Sequence, residues 1–386
     1  MKFYLKTKQE CDEIVARNEA FIKAEREVEG VNVVMYDYRL ASISDFANDE
    51  AFELRGLTFI EQPDGTWKRN LLMQKFFNYG QTLGWMPEDL QGKKVARVQN
   101  KEDGSVISFV EFPNSKVRAK SKMSFISEQA VMAQNIYDTS REFQHFITEC
   151  NIRDFTPIFE LVGFENQIVL NYEVANALTL LQVRRNDGSY LEKLEMKSLA
   201  DIFNINVTED FKIFPNENLA LDGLLRLKET SQANIEGWVV TFEDGQMAKI
   251  KTDHYIQLHG LVGPDAFREN LLVKTILDGN IDDVIAQLVQ GPKKDMIIEM
   301  EEKVSHYYNH QVVAFKELRR KYFQDFDENR KEFALKYRNE PLFGGVMKSL
   351  NTSFRDVEQT AGKMVKEHIE KQTNSLGKAK EFVEGL

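Results

Sequence analysis

The spacing of apolar residues changes near residue 256, and this change constrains the fold more than any other feature of the sequence. Before it, short β-rich runs are separated by turn signals, whereas after it apolar residues recur at helical spacing. Residues 1–255 therefore predict an α+β domain built on antiparallel sheets, and residues 256–386 predict a small all-helical C-terminal domain. Two domains also suit a length of 386 residues.

Asp-Gly pairs are the clearest local signals in the first region. An Asp-Gly pair between β-rich runs predicts a hairpin, because type I′ turns need positive φ. Asp103-Gly104 and Asp244-Gly245 are such pairs. Their flanking runs are Val95–Gln99 with Val106–Phe112, and Glu236–Phe242 with Met247–Thr252.

The same patterns predict the remaining elements. Further strands are predicted at Phe155–Gly163, Gln167–Glu173 and Leu178–Arg184. Helices are predicted at Ser127–Glu149, Glu192–Phe203, Asp265–Leu277, Asp282–Gln290, Lys293–Arg338 with breaks, and Ser353–Phe382.

Composition narrows the function classes. A net charge of −11 argues against a general affinity for nucleic acid, although Asn114–Lys122 has four bases and no acid. No stretch approaches the roughly 18 apolar residues of a membrane helix, and the first ten residues do not resemble a signal peptide. Cys11 and Cys150 form no metal-ligand spacing. These features predict a cytoplasmic protein with no membrane partner.

Several lysines lie beside a predicted turn or in pairs on one face of a predicted strand. Lys101 precedes the first Asp-Gly pair, where a solvated turn is the simpler explanation of the motif taken alone. Lys249 and Lys251 share one strand face, as do Lys120 and Lys122. Like charges side by side favour either a bound anion or a solvated strand face.

Two glutamates interrupt apolar strands. Glu160 lies in IFELV and Glu236 in IEGWVV, where a carboxylate needs a partner or water. Lysines matched to a polyphosphate, with carboxylates for ribose hydroxyls or a metal ion, account for both sets of charges.

These motifs, in this order, resemble the covalent nucleotidyltransferase superfamily of ATP-dependent DNA and RNA ligases and mRNA capping enzymes. The stretches that look like its motifs I, III (or IIIa), IV and V are Lys101–Ser105, Phe159–Val162, Glu236–Val239 and Lys249–Lys251. The flanking residues look closer to one branch, the bacteriophage RNA ligase 1 family of tRNA-repair ligases. The stretches that carry this likeness are Glu53–Phe59, Met73–Asn78, Ala119–Ala133, Lys249–His259 and Lys274–Asp283.

The resemblance implies an antiparallel-sheet adenylation domain in which Lys101 attacks the α-phosphate of ATP and becomes a lysyl-AMP. Lys249 and Lys251 then hold the α-phosphate oxygens as charge builds there. Glu160 matches the residue that binds the ribose hydroxyl. Glu236 matches an essential carboxylate associated with metal.

Further positions carry implied roles. Arg55 and Lys75 match residues that contact the ATP phosphates, and Lys122 matches an essential lysine beyond motif I. A tyrosine of an early strand lines the ATP site in that family, and Tyr36 is favoured over Tyr38 for it. The remaining matches are Tyr255, a functional tyrosine, and Asp282, an aspartate linked to a bound metal. The chain departs from the family pattern at Met123 and His254, and neither change removes a reacting group.

The implied reaction joins the 5′-phosphate and 3′-hydroxyl ends of single-stranded RNA in three steps, using ATP and Mg²⁺ or Mn²⁺. Lys101 takes AMP and releases pyrophosphate, the AMP moves to the RNA 5′-phosphate, and the RNA 3′-hydroxyl expels it. The expected partners are ATP and single-stranded RNA ends, including cleaved tRNA. The expected protein is a phage-type monomer that acts in tRNA repair.

Other readings remain at this stage. A DNA ligase or capping enzyme of the same superfamily usually carries an OB-fold after motif V, whereas residues 256–386 show helical spacing. A non-catalytic RNA-binding protein on the same fold would not need every reacting side chain. The helical region is expected either to recognise tRNA or to serve packing. Lys116, Arg118, Lys120 and Lys122 are predicted to form one edge of an RNA groove.

Overall fold

The computed structural model describes residues 4–166, 168–170, 172, 175–211, 220–231, 235–258, 267–288, 290–353 and 356–386. The chain divides into two compact units. The first comprises Met1–Tyr38 with Ile43–Gly260, and the second comprises Arg39–Ser42 with Leu261–Leu386. A short early segment therefore belongs to the mainly C-terminal unit, which the sequence pattern does not reveal.

Three four-stranded sheets form the framework of the first unit, in the orders β1-β2-β3-β4, β10-β9-β7-β8 and β5-β12-β11-β6. All of their pairings are antiparallel except β5 with β12. The strands are β1 (Phe21–Val28), β2 (Val31–Tyr38), β3 (Leu57–Glu61), β4 (Trp67–Asn70), β5 (Phe77–Asn78), β6 (Val95–Lys101), β7 (Ser105–Glu111), β8 (Val117–Lys120), β9 (Phe155–Val162), β10 (Ala177–Arg185), β11 (Gly237–Phe242) and β12 (Met247–Lys251).

Helices of the first unit cover the sheets. They are α1 (Lys8–Arg17), α2 (Ile43–Asn48), α3 (Pro87–Leu90), α4 (Glu128–Thr139), α5 (Arg141–Ile152), α6 (Lys193–Ile202), α7 (Ala220–Thr230) and α8 (Asp253–Leu258). One hydrophobic core lies between the β10-β9-β7-β8 sheet and the helices α4, α5 and α6. Phe159 of β9 and Phe146 of α5 are fully buried there, so apolar burial holds this sheet in place.

The two Asp-Gly pairs have different outcomes. Asp244-Gly245 joins β11 to β12 in an antiparallel hairpin, and Gly245 has a φ of +81°, so this prediction is confirmed. The hairpin predicted at Asp103-Gly104 is wrong, because β6 pairs with β11 whereas β7 pairs with β8 and β9. Asp103-Gly104 therefore carries the chain from one sheet to another.

The strand predicted at Gln167–Glu173 does not occur in the part of it that the structure describes. Residues 168–170 form a bend and residue 172 lies in a loop, while 167, 171, 173 and 174 lie outside the described residues. The backbone N–H groups of Val169 and Leu170 both donate to the Asp103 carboxylate.

Two of the predicted helices are each divided in two. The run Ser127–Glu149 breaks at Ser140, which is extended (φ −115°, ψ 119°), and its hydroxyl accepts from the Phe143 N–H at the start of α5. The run Ser353–Phe382 breaks likewise before Ser375, which has an extended backbone (φ −142°, ψ 159°). At Ser140 the helix break is stabilised because the side-chain oxygen satisfies an otherwise unpaired N–H at the start of α5.

In the second unit, residues 267–288, 290–353 and 356–386 form helices joined by short turns and loops, and these ranges contain no strand. Its helices are α9 (Glu269–Leu277), α10 (Ile281–Gln287), α11 (Pro292–Gln324), α12 (Arg330–Tyr337), α13 (Phe343–Ser349), α14 (Val357–Gln372) and α15 (Leu376–Glu384). The predicted class, antiparallel sheets followed by an all-helical region, is confirmed. Among the described residues no helix has the length and hydropathy needed to cross a membrane.

Candidate active site

Glycine 237 brings three charged side chains together in the β5-β12-β11-β6 sheet. Gly237 is paired with Lys101 of β6 on one side and with Lys251 of β12 on the other. The preceding residue, Glu236, is 3% exposed. Its Oε2 lies 2.5 Å from Lys101 Nζ and its Oε1 lies 3.2 Å from Lys251 Nζ. One carboxylate thus serves two lysines, and a cation pair that would otherwise repel is held together.

Only glycine suits position 237. Its φ is +150°, and an added Cβ would lie 2.0 Å from the Ile250 carbonyl oxygen and 2.7 Å from Lys251 Cα. The chain can therefore approach β12 closely enough to place Glu236 between the lysines only with no side chain at this position.

A cavity of about 540 Å³ opens beside these residues, entirely within the first unit. Lys101, Lys249, Glu160, Arg55 and Lys122 all contribute to its lining. The structure therefore brings together these five of the side chains that the sequence predicts for the site. A volume of several hundred cubic ångströms suits a small organic ligand.

Lys249 and Lys251 share one face of β12, as their spacing predicts. Lys249 Nζ lies 5.2 Å from the centre of the Phe76 ring, and Lys251 Nζ lies 5.4 Å from that of Tyr255. Ile250 between them points the other way and is 1% exposed. The aromatic faces stabilise both ammonium groups, so the strand presents two positive charges in one direction.

Glu160 lies in β9, opposite Val106 of β7. Burial raises the pKa of the Glu160 carboxyl to about 8, opposed by the charge of Lys101 and reinforced by that of Glu236. A carboxyl group with this pKa is mainly protonated at neutral pH. It can therefore donate or accept a hydrogen bond from a ligand that enters the cavity.

A basic cluster forms from Arg55, Lys75 and Lys122 around the ring of Tyr38. The ammonium groups of Lys75 and Lys122 lie 5.1 Å and 5.2 Å from the ring centre. Burial raises the pKa of the Tyr38 phenol, but the charges of Lys75, Lys122 and Arg55 outweigh it and lower the pKa overall. Asp37 lies beside Lys122, with its Oδ2 3.3 Å from Lys122 Nζ. This end of the site favours an anionic ligand.

The structure does not bring Tyr36 to the cavity, in disagreement with its predicted contact with ATP. Tyr36 is fully buried, and its hydroxyl donates to Asp12 Oδ1 of α1 at 3.0 Å. Tyr38, two residues further along β2, is the tyrosine in the basic cluster. Tyr36 and Tyr38 point to the same face of β2, so strand alternation cannot show which of them reaches the cavity. The difference arises because α1 covers Tyr36.

The loop after Lys101 is fixed by Asp103. Its Oδ1 accepts from the Tyr255 hydroxyl at 2.9 Å, and its Oδ2 accepts from the N–H groups of Val169 and Leu170. Gly104 follows, where an added Cβ would lie 2.2 Å from the Leu161 carbonyl oxygen. Tyr255, 2% exposed, therefore holds the Lys101 loop in place, and the functional role that the resemblance implies for it stays a prediction.

The basic run 114–122 does not form the single edge that its alternation predicts. Lys116 and Arg118 are exposed and both pair with Glu29. Lys120 is fully buried and donates to the carbonyl oxygens of Gly56 and Lys122. Lys120 is therefore removed from the predicted groove edge, because the Gly56 loop covers the end of β8.

Metal ligands are sparse in the parts of the chain that the structure describes. Those residues include no group of three or more His, Cys, Asp or Glu side chains that could hold a metal ion. Asp282 lies in the first turn of α10, and its predicted role stays a prediction. Carboxylates at the cavity, such as Glu160 and Asp37, suit a hard cation that is bound jointly with ligand phosphates.

Antiparallel sheets place Lys101, Glu160 and Lys249 at one cavity, and Glu236 links Lys101 to Lys251 beside it, which is the arrangement expected of the nucleotidyltransferase class. The particular family is shown by a family model described as RNA ligase, which matches residues 53–255, more than half of the chain. The chain belongs to this RNA ligase family. The predicted resemblance is thereby confirmed, and the DNA ligase and capping-enzyme alternatives lose their basis.

One protein sequence and two solved structures that are similar to this chain are also named as RNA ligases. A protein of Thermovibrio ammonificans named "Putative RNA ligase" is 26% identical over 291 residues, which cover 71% of this chain and 73% of that protein. Two solved structures named "Archaeal ATP-dependent RNA ligase", forms 1 and 2, share 13% and 12% identity. They match with TM-scores of 0.51 and 0.50 and cover 79% and 81% of this chain and 79% of each of theirs. At such identities the likeness concerns the fold.

Proposed function

We propose that the cavity binds ATP and that Lys101 Nζ attacks its α-phosphate. The observation that carries this proposal is the shared carboxylate: Glu236 Oε2 lies 2.5 Å from Lys101 Nζ while its other oxygen pairs with Lys251. An attacking lysine must give up a proton to become a nucleophile. Glu236 is placed to take that proton, and Lys251 then keeps the carboxylate oriented.

The attack of Lys101 exchanges one bond to the α-phosphorus for another. The Lys101 nitrogen forms a bond to the α-phosphorus, the bond from that phosphorus to the bridging oxygen breaks, and its electron pair leaves with pyrophosphate. Lys249, which lines the cavity two residues before Lys251, is placed to stabilise the α-phosphate oxygens as charge accumulates on them. Lys101 then carries AMP through a nitrogen–phosphorus bond.

The charges of the side chains indicate where the other groups of ATP would bind. The cluster of Arg55, Lys75 and Lys122 takes the outer phosphates, and the Glu160 carboxyl receives a ribose hydroxyl. A divalent cation, Mg²⁺ or Mn²⁺, would supply charge neutralisation on the phosphates when bound, and Glu236 is the residue that would hold it. Asp282 remains a further proposed ligand.

We propose RNA ends as the acceptor. AMP passes from Lys101 to an RNA 5′-phosphate, forming a 5′-5′ pyrophosphate linkage and releasing the lysine nitrogen. The RNA 3′-hydroxyl then attacks the RNA phosphorus, a new phosphodiester bond forms, and AMP leaves. Membership of the RNA ligase family supports this substrate class. Repair of cleaved tRNA, with the helical region contributing to tRNA recognition, is the finer proposal.

A sealing assay tests the proposal. A single-stranded RNA oligonucleotide with a 5′-phosphate and a 3′-hydroxyl is incubated with the protein, Mg²⁺ and either ATP or GTP. We expect ATP-dependent circularisation, read as a change in gel mobility and resistance to phosphatase. Nicked duplex DNA serves as the comparison substrate. Faster sealing of nicked DNA, or equal sealing with GTP, contradicts the proposal.

A further inference from the structure

Lys120 is a buried amine that the proposed reaction does not use. It is the last residue of β8, and its side chain is completely shielded from solvent. A buried lysine is costly unless its N–H groups find acceptors. Its Nζ donates to the Gly56 carbonyl oxygen at 3.1 Å and, at a longer 3.4 Å, to the Lys122 carbonyl oxygen.

The two acceptors belong to the two segments that carry cavity cations. Gly56 follows Arg55, and Lys122 is itself a lining residue. The segments also touch directly, since an added Cβ at Gly56 would lie 3.0 Å from both Cα and O of Lys122. Gly56 has a φ of +72°, which suits glycine. One amine thus joins two backbone sites next to two cations of the basic cluster.

The surroundings of Lys120 favour the neutral amine, which donates hydrogen bonds, over the charged ammonium. Burial lowers the pKa of the Lys120 ammonium to about 7; Asp37 opposes this change and Lys122 adds to it. A neutral amine has two N–H donors, and two carbonyl acceptors are present. The Thr58 hydroxyl also donates to the Gly56 carbonyl oxygen, at 3.1 Å.

We infer that Lys120 is a positioning residue that fastens the Arg55–Gly56 segment to Lys122 and thereby sets the affinity of the site for the polyphosphate of ATP. It touches no reacting atom. Its removal therefore weakens ATP binding while the transfer step, once ATP is bound, proceeds from an unchanged Lys101. The inference rests on the proposed function and assigns this lysine a part in it.

The test separates binding from chemistry in the Lys120→Met variant, in which a chain of similar shape lacks the N–H donors. The rate of AMP transfer to the protein is measured against ATP concentration, and sealing of RNA that is already adenylated is measured separately. We expect KM for ATP to rise about tenfold, a loss of about 1.4 kcal/mol. The maximal transfer rate and the sealing of adenylated RNA should stay near wild type.

Two further variants complete the design. Lys197→Met removes a lysine from the exposed face of α6 and should leave both assays unchanged. Lys120→Arg keeps N–H donors in the same place and should restore part of the ATP affinity. Thermal melts accompany every variant.

Each other outcome overturns the inference. An unchanged KM means that the hydrogen bonds of Lys120 do not govern ATP affinity. An equal fall in AMP transfer and in the sealing of adenylated RNA indicates a general structural role. Failure of both Lys120 variants to fold would assign the lysine to the core alone. Failure of the proposed function itself is distinguishable, because wild-type protein would then take no AMP from ATP.

Discussion

At the scale of single residues, the site depends on Glu236 holding two lysines. A carboxylate that is 3% exposed and bonded to Lys101 and Lys251 cannot be removed without consequences for both. The sequence alone suggests a glutamate at a solvated strand end, whose loss leaves stability intact. The buried position changes that expectation, since two ammonium groups would lose the carboxylate that they share.

The variant Glu236→Gln should lose activity and some stability. Loss of the charge removes the proton acceptor of Lys101, so the rate of AMP transfer should fall about 10²-fold or more. The free energy of unfolding should fall by about 2 kcal/mol, because both lysines are partly shielded from water. Label transfer and thermal melts measure the two effects. Glu243→Gln, an exposed glutamate beyond the far end of β11, is the matched control. Transfer at the wild-type rate in Glu236→Gln would show that the carboxylate plays no part.

Glu160 predicts a dependence of stability on pH. Burial raises the pKa of its carboxyl to about 8 in the folded protein, against 4.5 in the unfolded chain. Between these values the folded state binds the extra proton, so this group stabilises the fold at low pH, and its contribution is lost as pH rises towards 8. Melting temperatures of wild type and Glu160→Gln are compared from pH 5 to pH 8. Wild type should lose stability relative to the variant as pH rises, and parallel curves would contradict the assignment.

At the scale of elements, sequence patterns locate strands better than they pair them. Alternation identifies β6, β7, β11 and β12, but Asp103-Gly104 looks like a hairpin turn although its strands join different sheets. The pair of residues is a local signal, whereas strand pairing is decided by long-range burial. The serine that divides α4 from α5 was likewise missed, because a helix of either length satisfies the same apolar spacing.

The sequence likewise indicates only some of the residues of the candidate site. Lys101, Glu160, Glu236 and the Lys249–Lys251 pair were identified from strand alternation and motif order. Asp37 was not identified, and Tyr38 was considered but placed second to Tyr36, because the roles of both depend on where β2 ends relative to the basic cluster. For Asp37, the sequence offers only a charged residue next to an aromatic one at a strand end.

Gly237 provides a test at this scale. In Gly237→Ala the new methyl group collides with the Ile250 carbonyl and the residue also keeps an unfavourable φ. We expect a loss of about 3 kcal/mol or more in urea unfolding together with loss of AMP transfer, since Glu236 shifts. Gly65→Ala is the control: Gly65 has a φ of +81° and open space around it, so it pays only the φ strain of about 1 kcal/mol. Equal losses in the two variants would mean that close packing at Gly237 is unimportant.

At the scale of the whole molecule, charge governs how RNA can be held. A net charge of −11 leaves only local basic surfaces for phosphate contacts. Lys116 and Arg118 are exposed, yet Glu29 neutralises part of their charge. This edge should therefore contribute less than two full phosphate contacts to the binding of a single strand.

The variant Glu29→Gln measures that contribution. Release of Lys116 and Arg118 should raise affinity for single-stranded RNA and steepen the dependence of log K on log salt by about 0.7, the value of one added contact. Replacing Lys116 and Arg118 with serine should flatten the slope by a similar amount, and AMP transfer from ATP should be unaffected in both variants. Unchanged slopes would place the RNA elsewhere on the protein.

Covalent labelling tests the central claim most directly. The protein is incubated with ATP labelled at the α-phosphate and Mg²⁺, digested, and the labelled peptide is sequenced. We predict an acid-labile, alkali-stable adduct on Lys101, because a nitrogen–phosphorus bond to lysine has those properties. Lys101→Ala should take no label and still seal RNA that is already adenylated. Label on another residue, or label in the Lys101→Ala protein, would contradict the account.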